Sequence, residues 1–218
     1  MWEVILGAVI SIAITIWIEN LRKPKLSVIV KHPTDIEYAN APAKTARFLQ
    51  IEVINQPLHW LVRWMSRESA MQVHAAISFY HLDGQNVFGS EMIARWSGAS
   101  EPVFPRIIFD QKERGFVLDP SRLAVSPNID IYPGHSQAFD IAAKFDKDDE
   151  CYGWNNEGYF SKPLWRNPAW KLLHGRYLIK ITISTAGEKL THIYRLINDV
   201  QRNSFRLEEK FPEDKVLS

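Results

Sequence analysis

Residues Met71 to His81 read MQVHAAISFYH, and the alternation in that stretch decides the fold class. Val73, Ala75, Ile77 and Phe79 share one face of an extended chain, because successive side chains of a strand point to opposite sides. Asp83-Gly84-Gln85-Asn86 then supplies a hairpin-type turn, and Val87 to Trp96 is expected to return as a strand. Upstream, Leu26 to Val30 and Arg47 to Ile54 carry the same β-branched and aromatic enrichment, with Phe48 opposing Leu49, Ile51 and Val53. Downstream, Gln137 to Phe145, Tyr177 to Ser184 and Leu190 to Ile197 complete the set, the last two joined by a turn at Ala186-Gly187-Glu188. Helical periodicity is scarce after residue 25. Seven short strands with turn signals between them give a mainly β chain, an antiparallel two-sheet sandwich over 26–200. Residues 201–218 are a polar tail with room for one more element around Phe205-Arg206-Leu207.

The first 21 residues differ from the rest. Val4 to Ile18 read VILGAVISIAITIWI without a charge, between Glu3 and Glu19. Trp2 to Leu21 gives about 20 residues, the length of a spanning helix, with Trp2 and Trp17 near its ends, where interfacial aromatics belong. Nine Ile, Val or Leu residues lie in the run, favouring insertion by about 3–5 kcal/mol before Gly7, Ser11 and Thr15 subtract. A cleaved signal peptide would have basic residues first and small residues before the cut. Here no Lys or Arg precedes Arg22, and Trp17-Ile18-Glu19-Asn20 is a poor cut site. A buried core helix would have a polar face, which the run lacks. The favoured reading is a single-pass transmembrane anchor (1–21) and a basic linker (22–25) with Arg22, Lys23 and Lys25. The positive-inside rule then places the following domain in the cytoplasm. Gly7, Ser11 and Thr15 recur every four residues, a stripe on which two copies of the helix could pack.

Composition removes several function classes. The chain has 218 residues with 26 Lys+Arg against 25 Asp+Glu, a net charge of +1. That balance, without a basic run, argues against nucleic-acid binding. A single cysteine, Cys151, excludes an internal disulfide and a Cys-rich zinc site.

The stretches AAISFYHLDG (75–84), ARWSGASEP (94–102) and HGRYLIKITIS (174–184) resemble immunoglobulin-like sandwich domains of uncharacterised prokaryotic proteins with one N-terminal membrane helix. The resemblance implies the fold and the tether. It implies no activity, and no functional residue carries over from it.

Strand alternation from the tether locates two segments. Gln56 to Ser69, QPLHWLVRWMSRES, is expected beside the bilayer. After Pro57, helical spacing groups Leu58, Leu61, Val62 and Met65 against His59, Arg63 and Arg67, with Trp60 and Trp64 flanking. Two readings stay open: an interfacial helix using Trp60, Arg63, Trp64 and Arg67 together with Arg22, Lys23 and Lys25, or a cap on the open end of the sandwich. Asp146 to Gly175 is expected at the far end, unless a separate strand at Asn128 to Ile131 inverts the count. It holds Tyr152, Trp154, Tyr159, Phe160, Trp165 and Trp170. Aromatics of this density either anchor a protein partner or fold over a sheet as a satellite core.

Catalytic and metal constellations are weak. Asp146, Asp148, Glu150 and Glu157 have the spacing of a calcium loop, but Cys151 stands where glycine is required. His74 and His81 are seven apart on one strand and so face opposite sides. The chain therefore reads as a membrane-anchored, non-enzymatic binding module with no cofactor, a protein partner and the lipid bilayer. The alternatives are a membrane effector that clusters through its helix and an extracytoplasmic carbohydrate-binding sandwich.

Overall fold

The computed structural model describes residues 2–37, 45–62, 64–100, 102, 125–161, 163, 165–212 and 214. Helix α1 (Trp2–Arg22) has no buried residue. Its 21 residues rise ~31 Å, about the thickness of a bilayer's hydrocarbon core. Among the described residues it is the one helix long and apolar enough to cross a membrane. The strands follow as β1 (Leu26–Val30), β2 (Thr34–Glu37), β3 (Thr45–Asn55), β4 (Ala70–Tyr80), β5 (Met92–Ile93), β6 (Arg95–Trp96), β7 (Asn128–Ile131), β8 (Ser136–Phe145), β9 (Cys151–Gly153), β10 (Lys171–Leu172), β11 (Gly175–Thr185), β12 (Glu188–Asn198) and β13 (Arg206–Glu209).

They form two antiparallel sheets. The first runs β1-β3-β8-β9-β10, with β2 also on β3 and β6 on β8; the second runs β13-β12-β11-β4-β5, with β7 also on β4. Leu49, Ile51 and Val53 of β3 and Phe139 and Ile141 of β8 pack in one core with Val73, Ile77 and Phe79 of β4 and Ile179, Ile181 and Ile183 of β11. Burying each such side chain contributes ~1.5–3 kcal/mol, and β-branched residues suit the pleated surface. Strands β4 and β11 are held in register with Ile77 opposite Ile181. The alternation read from Val73 to Phe79 is therefore the core face.

Two local expectations change, and two segments left open in the sequence prove to be strands. Val87 to Trp96 is not one strand. Asn86 Oδ1 accepts from the Phe88 and Gly89 amides, and Gly89 sits at φ +68, a conformation glycine adopts without strain. That bend delays pairing until β5. The chain then changes sheets at Ala94, since β5 pairs with β4 and β6 with β8. Asn128 to Ile131 is a strand, antiparallel to β4. The far-end position of Asp146 still holds, because β3 is antiparallel to β1 and β8 to β3, so β8 runs away from the helix end as β1 does. Among the described residues after Pro57 no amphipathic helix forms; one 3-10 turn, Trp60–Val62, stands there, the segment being short and tied at its end to the backbone of α1. Finally β13 extends the second sheet into 201–218, with Phe205 fully buried in the main core.

Each end of the sandwich is closed by a buried asparagine. At the helix end, Asn55 Oδ1 accepts from Lys25 N at 3.2 Å, and Asn55 Nδ2 donates to Glu68 O at 3.0 Å and Ile131 O at 3.1 Å. At the far end, Asn198 Nδ2 donates to Leu173 O at 2.9 Å and Asn198 Oδ1 accepts from buried Lys144 Nζ at 2.7 Å. Lys144 Nζ also donates to Asp149 O and Asp199 O. Burial pushes the Lys144 ammonium below its ordinary pKa, while Cys151, Asp149 and Asp199 nearby oppose that shift.

Candidate functional site

The outer face of the first sheet carries the most elaborate side-chain cluster. Gln50 of β3 lies opposite Asp140 of β8, and Arg95 of β6 lies opposite Asp140 on its other side, so the three form a row across three strands. A register shift at Leu49/Gln50 aligns Gln50 with Asp140. Gln50 Nε2 donates to Asp140 Oδ1 at 2.7 Å, and Ser97 Oγ donates to the same oxygen at 3.3 Å. Asp140 is 6% exposed. Burial raises its pKa; the hydrogen bonds from Gln50 and Ser97 and the charge of Arg95 oppose that rise. Arg95 staples two loops: Nη2 donates to Ala99 O at 2.7 Å, Nη1 to Asn156 Oδ1 at 2.7 Å, and the guanidinium lies 4.7 Å from the Tyr159 ring centroid.

Beside that row the face turns aromatic. Phe48 is opposite Ala143, and Ala143 is opposite Tyr152. The small Ala143 leaves space over the sheet, and Trp154 packs in that cluster edge-on to Phe48 at 5.1 Å. Tyr159 and Trp165 pack tilted and edge-on around Trp154 at 5.2 and 5.7 Å and lie 5.7 Å from each other. Gly158 fits closely here: a Cβ would stand 3.0 Å from the Trp154 ring, so any larger residue has to shift that ring. Asn155 Oδ1 accepts from Gly158 N and starts the 3-10 turn that carries Tyr159. Between the polar row and the aromatic group lies a cavity of ≈ 170 Å³ whose walls include Phe48, Asp140, Trp154, Tyr159 and Trp165.

The six aromatics singled out from the sequence are divided by this arrangement. Tyr152 and Trp154 are buried in the satellite cluster. Tyr159 and Trp165 are half-buried against it and form the rim of the cavity. Phe160 is half-buried beside them in the chain. Trp170 belongs to the main core, edge-on to Phe88 at 4.9 Å. Their loop folds back over the sheet and does not stand free at the far end.

The acidic run is occupied by cations and caps. Asp146 accepts from Thr45 and Arg202, Asp148 from Arg166, and Glu150 pairs with Lys171. No group of three or more metal-binding side chains occurs among the described residues. On the helix, Gly7, Ser11 and Thr15 face outward, and Thr15 Oγ1 donates to Ser11 O at 2.9 Å.

The bilayer-side candidates gather at the helix end. Arg67 Nη1 donates to Lys23 O at 2.6 Å, Glu68 N donates to Arg22 O at 2.7 Å, and Gln56 N donates to Lys25 O at 2.9 Å. Trp60 and Trp64 are exposed nearby in the chain. Arg63 lies outside the described residues.

Sequence reading missed Phe48, Gln50, Arg95, Ser97 and Asp140 as site residues. Two signals were present: Asp140 interrupts the apolar run QAFDIAA, and Arg95 sits between Ala94 and Trp96 in another. A charge inside a strand that is otherwise apolar needs a specific partner. No protein-family model, curated protein or solved structure matches the chain. The likeness to immunoglobulin-like sandwiches therefore rests on architecture alone: two antiparallel sheets behind one apolar N-terminal helix.

Proposed function

We propose that this chain is a single-pass membrane protein whose sandwich lies on the cytoplasmic side and acts as a non-enzymatic binding module for a protein partner. An apolar helix of 21 residues with no buried side chain is accounted for by a bilayer, since its surface would otherwise stand in water. Arg22, Lys23 and Lys25 follow the helix and Glu3 precedes it, which supports the orientation.

The observation that carries the binding part is the cavity on the outer face of the first sheet. It joins a nearly inaccessible carboxylate, Asp140, to aromatic walls. Sites of this kind orient a ligand with few polar groups and hold it by apolar area. At ≈ 170 Å³ the cavity admits one side chain. Arg95 also lines the cavity and offsets part of the Asp140 charge, but its guanidinium donates to Ala99 O and Asn156 Oδ1. The Asp140 carboxylate is the acceptor offered, so the entering group is a hydrogen-bond donor such as an ammonium, which the aromatic faces also favour. Burial raises the Asp140 pKa, so affinity for a cation rises as pH climbs through that raised value.

A photoreactive benzophenone residue at Phe160 of the full chain in native membranes tests the reading. The expected result is one discrete adduct that falls about tenfold with Asp140→Asn, the scale of losing one hydrogen bond to a charged group. The same adduct at full yield in Asp140→Asn and in a Tyr159→Ala/Trp165→Ala double variant would remove the cavity's role.

A further inference from the structure

We propose that the helix end of the sandwich is a lipid-contacting surface, seated in the headgroup layer of the bilayer that α1 crosses, with Trp60, Leu61 and Trp64 as its inserted side chains. The inference rests on the anchoring reading above and goes beyond it. A domain on a flexible stalk would be free to stand off the membrane. This one is not on a flexible stalk. The carbonyls of Arg22, Lys23 and Lys25, where α1 ends, accept from Glu68 N, Arg67 Nη1 and Gln56 N at 2.7, 2.6 and 2.9 Å. Leu26 N donates to Glu188 Oε2 at 3.3 Å, which adds the β11–β12 hairpin to the same end. The first residues after the helix are thus part of the sandwich. Wherever the helix leaves the lipid, the 56–69 segment goes with it.

What that segment presents is apolar and uncovered. Trp60, Leu61 and Trp64 are 73%, 63% and 80% exposed. Isolated apolar side chains on a surface are ordinary, but these three lie within five residues on one loop. Tyr132 and Met71 are exposed at the same end, next to the Ala70–Ile131 pair. A concavity of ≈ 400 Å³ opens beside Trp60, lined also by Pro57, Leu58, Met65 and Pro133. Around them stand Arg22, Lys23, Lys25 and Arg67; Arg22 is paired with Glu19 and Glu68, and the other three cations complement anionic headgroups. Arg67 Nε is buried and has no hydrogen-bond partner among the described residues. Trp at the border of an apolar patch, with cations around it, is the chemistry of the headgroup region. The occupant is therefore lipid, because the helix itself delivers the patch to the lipid surface.

The test uses the full chain in vesicles of phosphatidylcholine and phosphatidylglycerol, with one nitroxide per molecule. Cys151 is fully buried, so thiol labelling selects an introduced cysteine. Labels go at Ser66→Cys on the loop, Ala13→Cys in mid-helix and Val200→Cys at the far end. Collision with oxygen against collision with a water-soluble nickel chelate reports depth. The proposal expects the label at position 66 to be several-fold less accessible to nickel than that at 200 while remaining open to oxygen. It also expects Trp60→Ser/Trp64→Ser to raise the nickel accessibility of position 66 part of the way toward that of 200 without changing 13. If position 66 matches 200 in the unaltered chain while 13 lies deep, the surface proposal fails and the anchor stands. If 66 is shielded from both reagents, a second copy covers the patch and the proposal also fails. If 13 is open to nickel, the anchor fails and takes this proposal with it.

Discussion

Replacing Asn55 with alanine should loosen the junction between helix and sandwich. Asn55 is fully buried, and its amide joins four pieces of chain: its own strand β3, the linker at Lys25, the loop at Glu68 and the end of β7 at Ile131. Its backbone adds a fifth, since Asn55 N donates to His135 O and Asn55 O accepts from Gly134 N; these two bonds survive the substitution. The three side-chain bonds do not. At ~0.5–1.5 kcal/mol each, Asn55→Ala costs ~1.5–4.5 kcal/mol, centred near 3. For a chain of this size 1 kcal/mol moves the midpoint by about 2–4 °C, so Tm should fall by about 6–12 °C. Asn55→Asp is the sharper variant. It keeps the acceptor for Lys25 N and the shape, but turns the donor into an oxygen facing two carbonyls, so it should lose at least as much as alanine. Near-ultraviolet circular dichroism of the full chain in detergent micelles reads the body, which holds six of the eight tryptophans, with little signal from the helix. A Tm change under about 2 °C in Asn55→Ala, or an Asp variant as stable as the parent, would refute the claim that this amide closes the helix end.

Three further outcomes follow from other parts of the fold. Lys144→Met keeps the stem but removes three donors at the far end; offset by the desolvation it relieves, it should cost ~2–4 kcal/mol in urea titrations, and a change below about 0.5 kcal/mol would contradict the assignment. The Arg195 guanidinium holds the Asp214 carboxyl below its ordinary value of 3.8. That contribution is complete above the ordinary value and is lost as pH falls through the lower folded value, so hydrogen exchange over 206–214 should accelerate there and Asp214→Asn should abolish the step. Burial pushes the Cys151 thiol well above the usual range, so a thiol reagent at pH 8 should label the folded chain only after denaturant is added; fast labelling of the native protein would contradict its place in the core.

The parts of the fold legible in the sequence were those with a long period. Val73 to Phe79 and Ile179 to Ile183 each repeat often enough along an 11-residue strand for one face to be unmistakable. The return from the first hairpin was not legible, because Gly89 and the Asn86 cap interrupt a run whose composition alone reads as strand. The change of sheet at Ala94 has no period at all, since two residues pair on each side of it. At the outer-face cavity, the sequence placed Trp154, Tyr159 and Trp165 together, as neighbours in the chain. It did not place Gln50 and Arg95 beside Asp140, because those contacts join strands 45 and 90 residues apart and depend on the register shift at Leu49/Gln50. At the helix end, the amphipathic spacing after Pro57 was real, but Glu68 and Arg67 bond to the helix terminus instead of continuing a helix of their own.

The most direct test of the account is a topology measurement on the full chain in native membranes. Alkaline carbonate extraction, intact mass and protease digestion of right-side-out and inside-out vesicles are read together. The account predicts a protein that stays in the pellet, keeps its first 21 residues, and loses the sandwich to protease only in inside-out vesicles. Release into the supernatant, a mature chain that begins beyond the helix, or digestion from the opposite face would contradict it.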